Sequence, residues 1–178
     1  ASDVYKRQWS KNIFNEVISA NNFGVLILDA GALHFIVENN LETSKDKVLT
    51  PHPGEAAKLL GISNNEVQKD RINAAKSISN KFSASVILKG KETIICSYGE
   101  EELFICNEGG PELSSGGTGD VLAGVLSALI AQKVNIIDAC KISVAVHARA
   151  GKEFRNKTGE IGLNASSLIP TIRDLLNK

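Results

Sequence analysis

The stretch Gly116-Gly117-Thr118-Gly119-Asp120, followed at once by the apolar run Val121-Leu122-Ala123, carries the residue types best suited to chemistry. Glycines let a backbone turn through positive φ and come close to a ligand. The first N–H groups of the helix that should follow have no partner within it, and they lie at the positive end of its dipole. Phosphate is the usual guest at such a place. A carboxylate beside a phosphate is repulsive unless a metal intervenes or the acid handles a proton. Asp120 therefore points to chemistry on a hydroxyl next to a phosphate donor. The plainer reading is a loop in which Asp120 only complements the helix dipole. The stretch is not a P-loop, since no Gly-Lys-Ser/Thr follows, and it does not match Gly-x-Gly-x-x-Gly after a strand.

Three further stretches set reactive side chains at expected strand ends. The apolar run over 23–28 reads as a buried parallel strand that ends in Asp29. A short strand over 47–50 is stopped by Pro51, and a helix should start near Pro53 and run through Ala56, Leu59 and Leu60, because proline fits the first helical turn. His52 is thus held in a rigid turn, where taken alone it reads as a capping or hydrogen-bonded loop residue. A strand over 85–88 exits into Lys89-Gly90, either a point charge for phosphate or a solvated turn. Asp29, His52, Lys89 and Asp120 all fall at one edge of the sheet, the edge where open α/β sheets carry their sites.

The remaining elements must hold these residues in place. A helix is expected from Ser10, with Ile13, Val17 and Ile18 on one face, while residues 1–8 lack periodicity and read as a frayed or foreign end. A short helix is expected over 32–38. Residues 65–82 carry Val67, Ile72, Ala75 and Ile78 on one helical stripe. Segments 94–96 and 103–106 suggest a hairpin around Gly99. Residues 121–132 should form the most buried helix. A second long helix starts near Asn135 with Ile142, Val146, His147 and Ala150 near one face, His147 being a satisfied core histidine. Asn164 is a candidate N-cap for a last helix ending at Leu176. Strands that alternate with helices give an α/β fold with a mainly parallel sheet.

Composition narrows the class. With 178 residues, 43% apolar and 22% charged, one domain over 1–178 is expected. Twenty basic residues balance twenty acidic ones, which leaves no electrostatic footprint for nucleic acid or an anionic membrane. No apolar run approaches the ~20 residues of a membrane span, and no signal peptide is evident. Cys96, Cys106 and Cys140 show neither metal-ligand spacing nor a disulfide framework, which suits a reducing cytoplasm. The chain has no methionine, which suggests a processed product or a fragment.

Leu28-Asp29-Ala30-Gly31, Thr50-Pro51-His52-Pro53-Gly54-Glu55, Leu88-Lys89-Gly90-Lys91-Glu92-Thr93 and the segment 107–120 occur in this order. Together they resemble the ADP/ATP-dependent NAD(P)H-hydrate dehydratase family of the ribokinase-like superfamily, from about Phe23 to the C-terminus. The resemblance implies a ribokinase-like three-layer α/β/α fold that lacks its N-terminal strands. It also implies repair of hydrated NADH or NADPH: ADP or ATP phosphorylates the ring hydroxyl, and phosphate then leaves. Asp120 would be the general base and touch the hydrate, and His52 would touch it too. Lys89, Gly90, Lys91, Glu92 and Thr93, with Gly117 and Gly119, would bind the adenine nucleotide. Mg²⁺ would bridge the phosphates, with no protein ligand assigned and Glu55 at most a water-mediated contact.

Departures from the family pattern stand at Gly31, Lys152 and Ser167, where acids are usual, and at Leu113-Ser114, where Met-Ala is common. A chain starting here is expected to have weak or no activity and an exposed sheet edge prone to association. A homo-oligomer and a link to an NAD(P)H-hydrate epimerase domain are further expectations. The rival readings are a small-alcohol kinase, such as hydroxyethylthiazole kinase, and a non-catalytic nucleotide-binding remnant.

Overall fold

Short apolar strands whose side chains alternate between two faces can be buried on both only if helices cover both. The computed structural model, which describes residues 2–20, 24–39 and 46–177, has this arrangement. Strands β1 (Val25–Leu28), β2 (Asp46–Leu49), β3 (Ser85–Leu88), β4 (Thr93–Cys96) and β5 (Leu103–Cys106) form one sheet in that spatial order. β1, β2 and β3 run parallel, with Leu28 beside Leu49 and Leu49 beside Val86. β4 and β5 are antiparallel to their neighbours and form the expected hairpin, with Gly99 at φ 79° in its turn.

Helices α1 (Ser2–Ser19), α2 (Gly31–Asn39), α3 (Pro53–Leu60), α4 (Asn64–Lys69) and α5 (Arg71–Phe82) lie on one face. There Leu28, Leu49, Val86 and Leu88 pack with Ile36, Leu59 and Ile78. Helices α6 (Thr118–Ala131) and α7 (Ile136–Thr158) cover the other, where Val48, Ile87 and Ile95 meet Leu122, Leu126 and Val144. Helix α8 (Leu168–Leu176) is held outside them by Leu168 and Ile172. The three-layer α/β/α expectation holds. Among the described residues no strand pairs with the outer edge of β1, and no helix is long and apolar enough to cross a membrane.

Several local expectations are corrected. α1 begins at Ser2, so residues 2–8 are helical rather than frayed. Its docking face is Phe14, whose ring lies 5.4 Å from that of Phe35, with Ile18 half-buried beside it; Ile13 and Val17 are exposed. Phe23 lies outside the described residues. The stripe over 65–82 is two helices, because Ser63 forms a capping box with Glu66 and Asp70 starts α5 by accepting from the Asn73 N–H at 2.9 Å. That corner leaves Ile72 exposed. α6 buries Thr118, Leu122 and Leu126 only, since its apolar residues run all round while the sheet takes one stripe. α7 is the more buried helix, although its Ile142 is exposed. Asn164 precedes a 3₁₀ turn (Ala165–Ser167) and caps it with its carbonyl, which accepts from Ser167 at 2.8 Å, and not with its side chain.

The thiols of Cys96, Cys106 and Cys140 are unpaired. Burial pushes that of Cys140 up to about 12, which makes it a small inert hydrophobe.

Leu88 is fully buried in the central strand. Leu88→Ala should destabilise the domain by about 2–5 kcal/mol. The melting temperature should fall by roughly 2–4 °C for each of those kilocalories. A loss near zero in thermal unfolding would contradict this packing.

Candidate active site

The carboxyl ends of the three parallel strands are tied to each other beyond the strands themselves. The Thr50 N–H donates to the Leu28 carbonyl at 3.1 Å, and the Lys89 N–H to the Pro51 carbonyl at 2.8 Å. Side chains repeat the tie. Asp29 Oδ1 accepts from Lys89 Nζ and from Thr50 Oγ1, each at 2.8 Å. The two charged side chains are 15% and 21% exposed, so the pair is shielded yet still reachable by a ligand. A charge-assisted contact in that setting outweighs an open surface pair.

The glycine loop brings the start of α6 onto this pair. Gly117, at φ 88°, is the N-cap and has no side chain to offer the helix. Among the described residues the N–H groups of Gly119 and Asp120 carry no hydrogen bond. A β-carbon at Gly119 would stand 3.4 Å from Lys89 Nζ and 3.8 Å from Asp29 Oδ2. Two free N–H groups, a helix dipole and an ammonium thus converge on one spot, which is a site for an anion.

Helix α7 fixes the loop from behind. The Thr118 carbonyl accepts from His147 Nε2 at 2.9 Å, which puts the imidazole proton on that nitrogen. Burial lowers the His147 pKa; the bond to Thr118 opposes the shift and nearby Lys89 adds to it, so the ring is neutral at neutral pH. The Thr118 hydroxyl stands 2.7 Å from the Leu113 carbonyl and 2.9 Å from that of Ser115. A β-carbon at Gly151 of α7 would lie 2.7 Å from the Leu113 side chain, so only glycine admits this close approach. Glu112 is buried with its carboxylate 3.6 Å from Arg155 Nη1, and a β-carbon at Gly110 would meet both groups. Arg155, Glu112 and Gly151 escaped the sequence reading; none carries a local signal, since each acts through a residue distant in sequence.

A cavity of about 500 Å³ opens between the Lys89–Thr93 turn, the loop over 109–114 and α7. Lys89, Lys91 and Arg155 supply positive charge to its wall. Glu108 also lines it, but its carboxylate accepts from Lys152 at 2.9 Å and from Arg149 at 3.2 Å, and the Lys152 bond chiefly holds its pKa below the ordinary value. Of the expected residues, Lys89, Gly90, Lys91, Thr93 and Gly119 line the cavity, while Glu92 and Gly117 flank it. His52 and Asp120 do not line it. Asp120 is exposed in the first turn of α6, about 200° around the helix from buried Thr118. His52 caps α3: Nδ1 accepts from the Gly54 and Glu55 N–H groups at 3.0 and 3.3 Å, its own N–H donates to Glu55 at 2.8 Å, and its side chain is 57% exposed.

The fold defines a ribokinase-like α/β protein. It superposes with a TM-score of 0.79 on a ribokinase-like superfamily protein from Enterococcus faecalis, 23% identical, over 94% of this chain and 58% of that one. The profile of the NAD(P)H-hydrate dehydratase family matches residues 5–174, and the chain belongs to that family. A bifunctional NAD(P)H-hydrate repair enzyme from Coxiella burnetii is 37% identical over 172 residues, which is 97% of this chain and 34% of that enzyme. An ADP/ATP-dependent NAD(P)H-hydrate dehydratase from Bacillus subtilis, co-crystallised with ATP and Mg²⁺, superposes with a TM-score of 0.81 at 27% identity, over 92% of this chain and 57% of that one. The chain thus spans between a third and about three-fifths of these relatives' length.

Because the native imidazole of His147 binds a proton less readily than the unfolded one, stability should fall as pH drops below about 6.5. His147→Gln keeps an N–H donor and removes the titration. Melting temperatures from pH 8 to 5 should fall less steeply for the variant; parallel curves would refute the assignment.

Proposed function

We propose that this chain carries out nucleotide-dependent dehydration of hydrated NADH or NADPH, which restores the reduced cofactor. The observation that carries the reading is the pair of free N–H groups at Gly119 and Asp120 beside Lys89, at the edge of a cavity sized for an adenine nucleotide. Support also comes from the family assignment and from the Bacillus subtilis relative, named for the same reaction.

The chemistry follows from a poor leaving group. Hydroxide does not depart readily from the hydrated ring, so its oxygen first attacks the terminal phosphoryl group of ADP or ATP. Asp120 takes the hydroxyl proton as general base. The bond from phosphorus to the nucleotide oxygen breaks, and the N–H groups at the start of α6 hold the charge that develops. Phosphate then leaves as the ring nitrogen lone pair forms a double bond to the carbon that carried it. Loss of a proton from the neighbouring ring carbon restores the carbon–carbon double bond and the neutral nitrogen. Lys89, Gly90, Lys91 and Thr93, with Glu92 and Gly117 flanking, bind the nucleotide on the cavity side. Asp120 and His52, both exposed, are free to meet the hydrated dinucleotide from the open side.

Among the described residues no three carboxylate, imidazole or thiolate groups gather into a metal cage. Such a site suits Mg²⁺, which keeps several waters and takes other ligands from phosphates; Asp29 and Asp120 are the carboxylates beside the anion site. Mg²⁺ would supply charge neutralisation between phosphates. Three unpaired thiols support a reducing, cytoplasmic setting. The bifunctional character of the Coxiella burnetii relative supports partnership with a second repair activity, an epimerase of the hydrate being the expected one, and self-association is the other expected contact.

The test is recovery of reduced-nicotinamide absorbance from hydrated NADH with Mg²⁺ and either ADP or ATP. Asp120→Asn should lower turnover on the order of 10²-fold or more while nucleotide binding persists. Nucleotide consumption driven by a free alcohol, and not by the hydrate, would make the protein a kinase. Unchanged turnover in the variant would remove Asp120 from the mechanism.

A further inference from the structure

The turn that joins β3 to β4 forms one wall of the cavity, and its shape is set from the far side by Arg71, the first residue of α5. Arg71 Nη2 lies within hydrogen-bond distance of the Leu88, Lys89 and Glu92 carbonyls, at 3.3, 3.4 and 2.9 Å, and its two N–H bonds are shared among them. Nη1 donates to Gln68 Oε1 at 3.3 Å. The Gly90 carbonyl accepts from Thr93 Oγ1 at 3.2 Å. Four of the five carbonyls over 88–92 are thus occupied. The N–H groups of Gly90 and Lys91, by contrast, carry no hydrogen bond among the described residues, and both residues line the cavity. Successive free N–H groups in a turn make a concavity for anions.

Gly90 shows how closely this is built. Its φ is 155°, and a β-carbon there would collide with the Arg71 guanidinium. Burial lowers the Arg71 pKa, and the charge of Glu92 opposes that shift. A guanidinium drawn out of water against backbone carbonyls screens their negative ends, which would otherwise repel a phosphate across the turn. Arg71 holds Gln68 with one nitrogen and the carbonyls with the other, a two-sided grip that a single lysine ammonium lacks.

We propose that Arg71 is a positioning residue for the phosphates of the adenine nucleotide. It gathers the carbonyls of the 88–92 turn so that the N–H groups of Gly90 and Lys91 and the Lys89 ammonium are presented to the ligand. The ligand rests on the nucleotide reading of the cavity given above; the ordering of the turn does not.

Arg71→Lys and Arg71→Met are compared with the unaltered protein by steady-state kinetics with ADP and Mg²⁺, and by hydrogen exchange of the turn. Both variants should raise KM for ADP about tenfold, with kcat changed far less, and should speed exchange of the Lys89 amide, the bonded N–H at the start of the turn, while the β3 amides stay protected. A merely structural residue would lower the melting temperature and leave KM in place. Should Arg71→Met fail to fold, Arg71→Lys, which keeps charge and length, carries the test. Unchanged KM together with unchanged exchange overturns the inference. If the unaltered protein takes up no ADP, the nucleotide reading falls, and the exchange result alone decides whether Arg71 orders the turn.

Discussion

A lysine ammonium set against the positive end of a helix is an unfavourable pairing that only negative charge can relieve, and Lys89 at the start of α6 is in that position. Asp29 supplies the relief in the free protein, at 2.8 Å from Lys89 Nζ. The same carboxylate oxygen accepts from Thr50, so one acid joins the ends of three parallel strands and balances the charge that faces the helix. A phosphate would meet the free N–H groups at the start of α6 and the Lys89 ammonium together. The rest of the molecule serves to keep this arrangement from relaxing.

Two devices do so. Helix α7 grips the loop before α6 through His147 on the Thr118 carbonyl, through Gly151 beneath Leu113, and through Arg155 beside Glu112. Both oxygens of buried Glu112 lack a hydrogen bond among the described residues, so its carboxylate leans on Arg155 alone. Removing one partner of such a pair leaves an uncompensated buried charge, which is strongly destabilising. The second device is the cap on α3. His52 and Glu55 satisfy each other's backbone N–H groups, and this locks the turn after β2 whether or not a ligand is present.

The departures at 31 and 152 acquire a physical reading in this frame. Lys152 finds Glu108, itself bonded to Arg149, so the reversed charge there is matched within the fold. Gly31 has open space where a side chain would stand, so the glycine is not forced by packing. Nothing in the structure explains the serine at 167.

Strand positions, the hairpin and the proline-started α3 were legible from local pattern because alternation and proline chemistry act within a few residues. The glycine loop and the lysine at the β3 exit were legible for the same reason, as was buried His147. The break between α4 and α5 was missed because two caps overruled a continuous apolar stripe, and the docking face of α1 was missed because Phe35 selected Phe14 over its neighbours. The amino-acid sequence by itself determined which segments become strands, where backbones can turn sharply and which side chains end near one sheet edge. Only the tertiary structure decided that Asp29 meets Lys89 across sixty residues, that Asp120 and His52 stand outside the cavity, and that Arg71 gathers the turn. Those outcomes depend on distances between elements remote in the chain, and no local propensity encodes them.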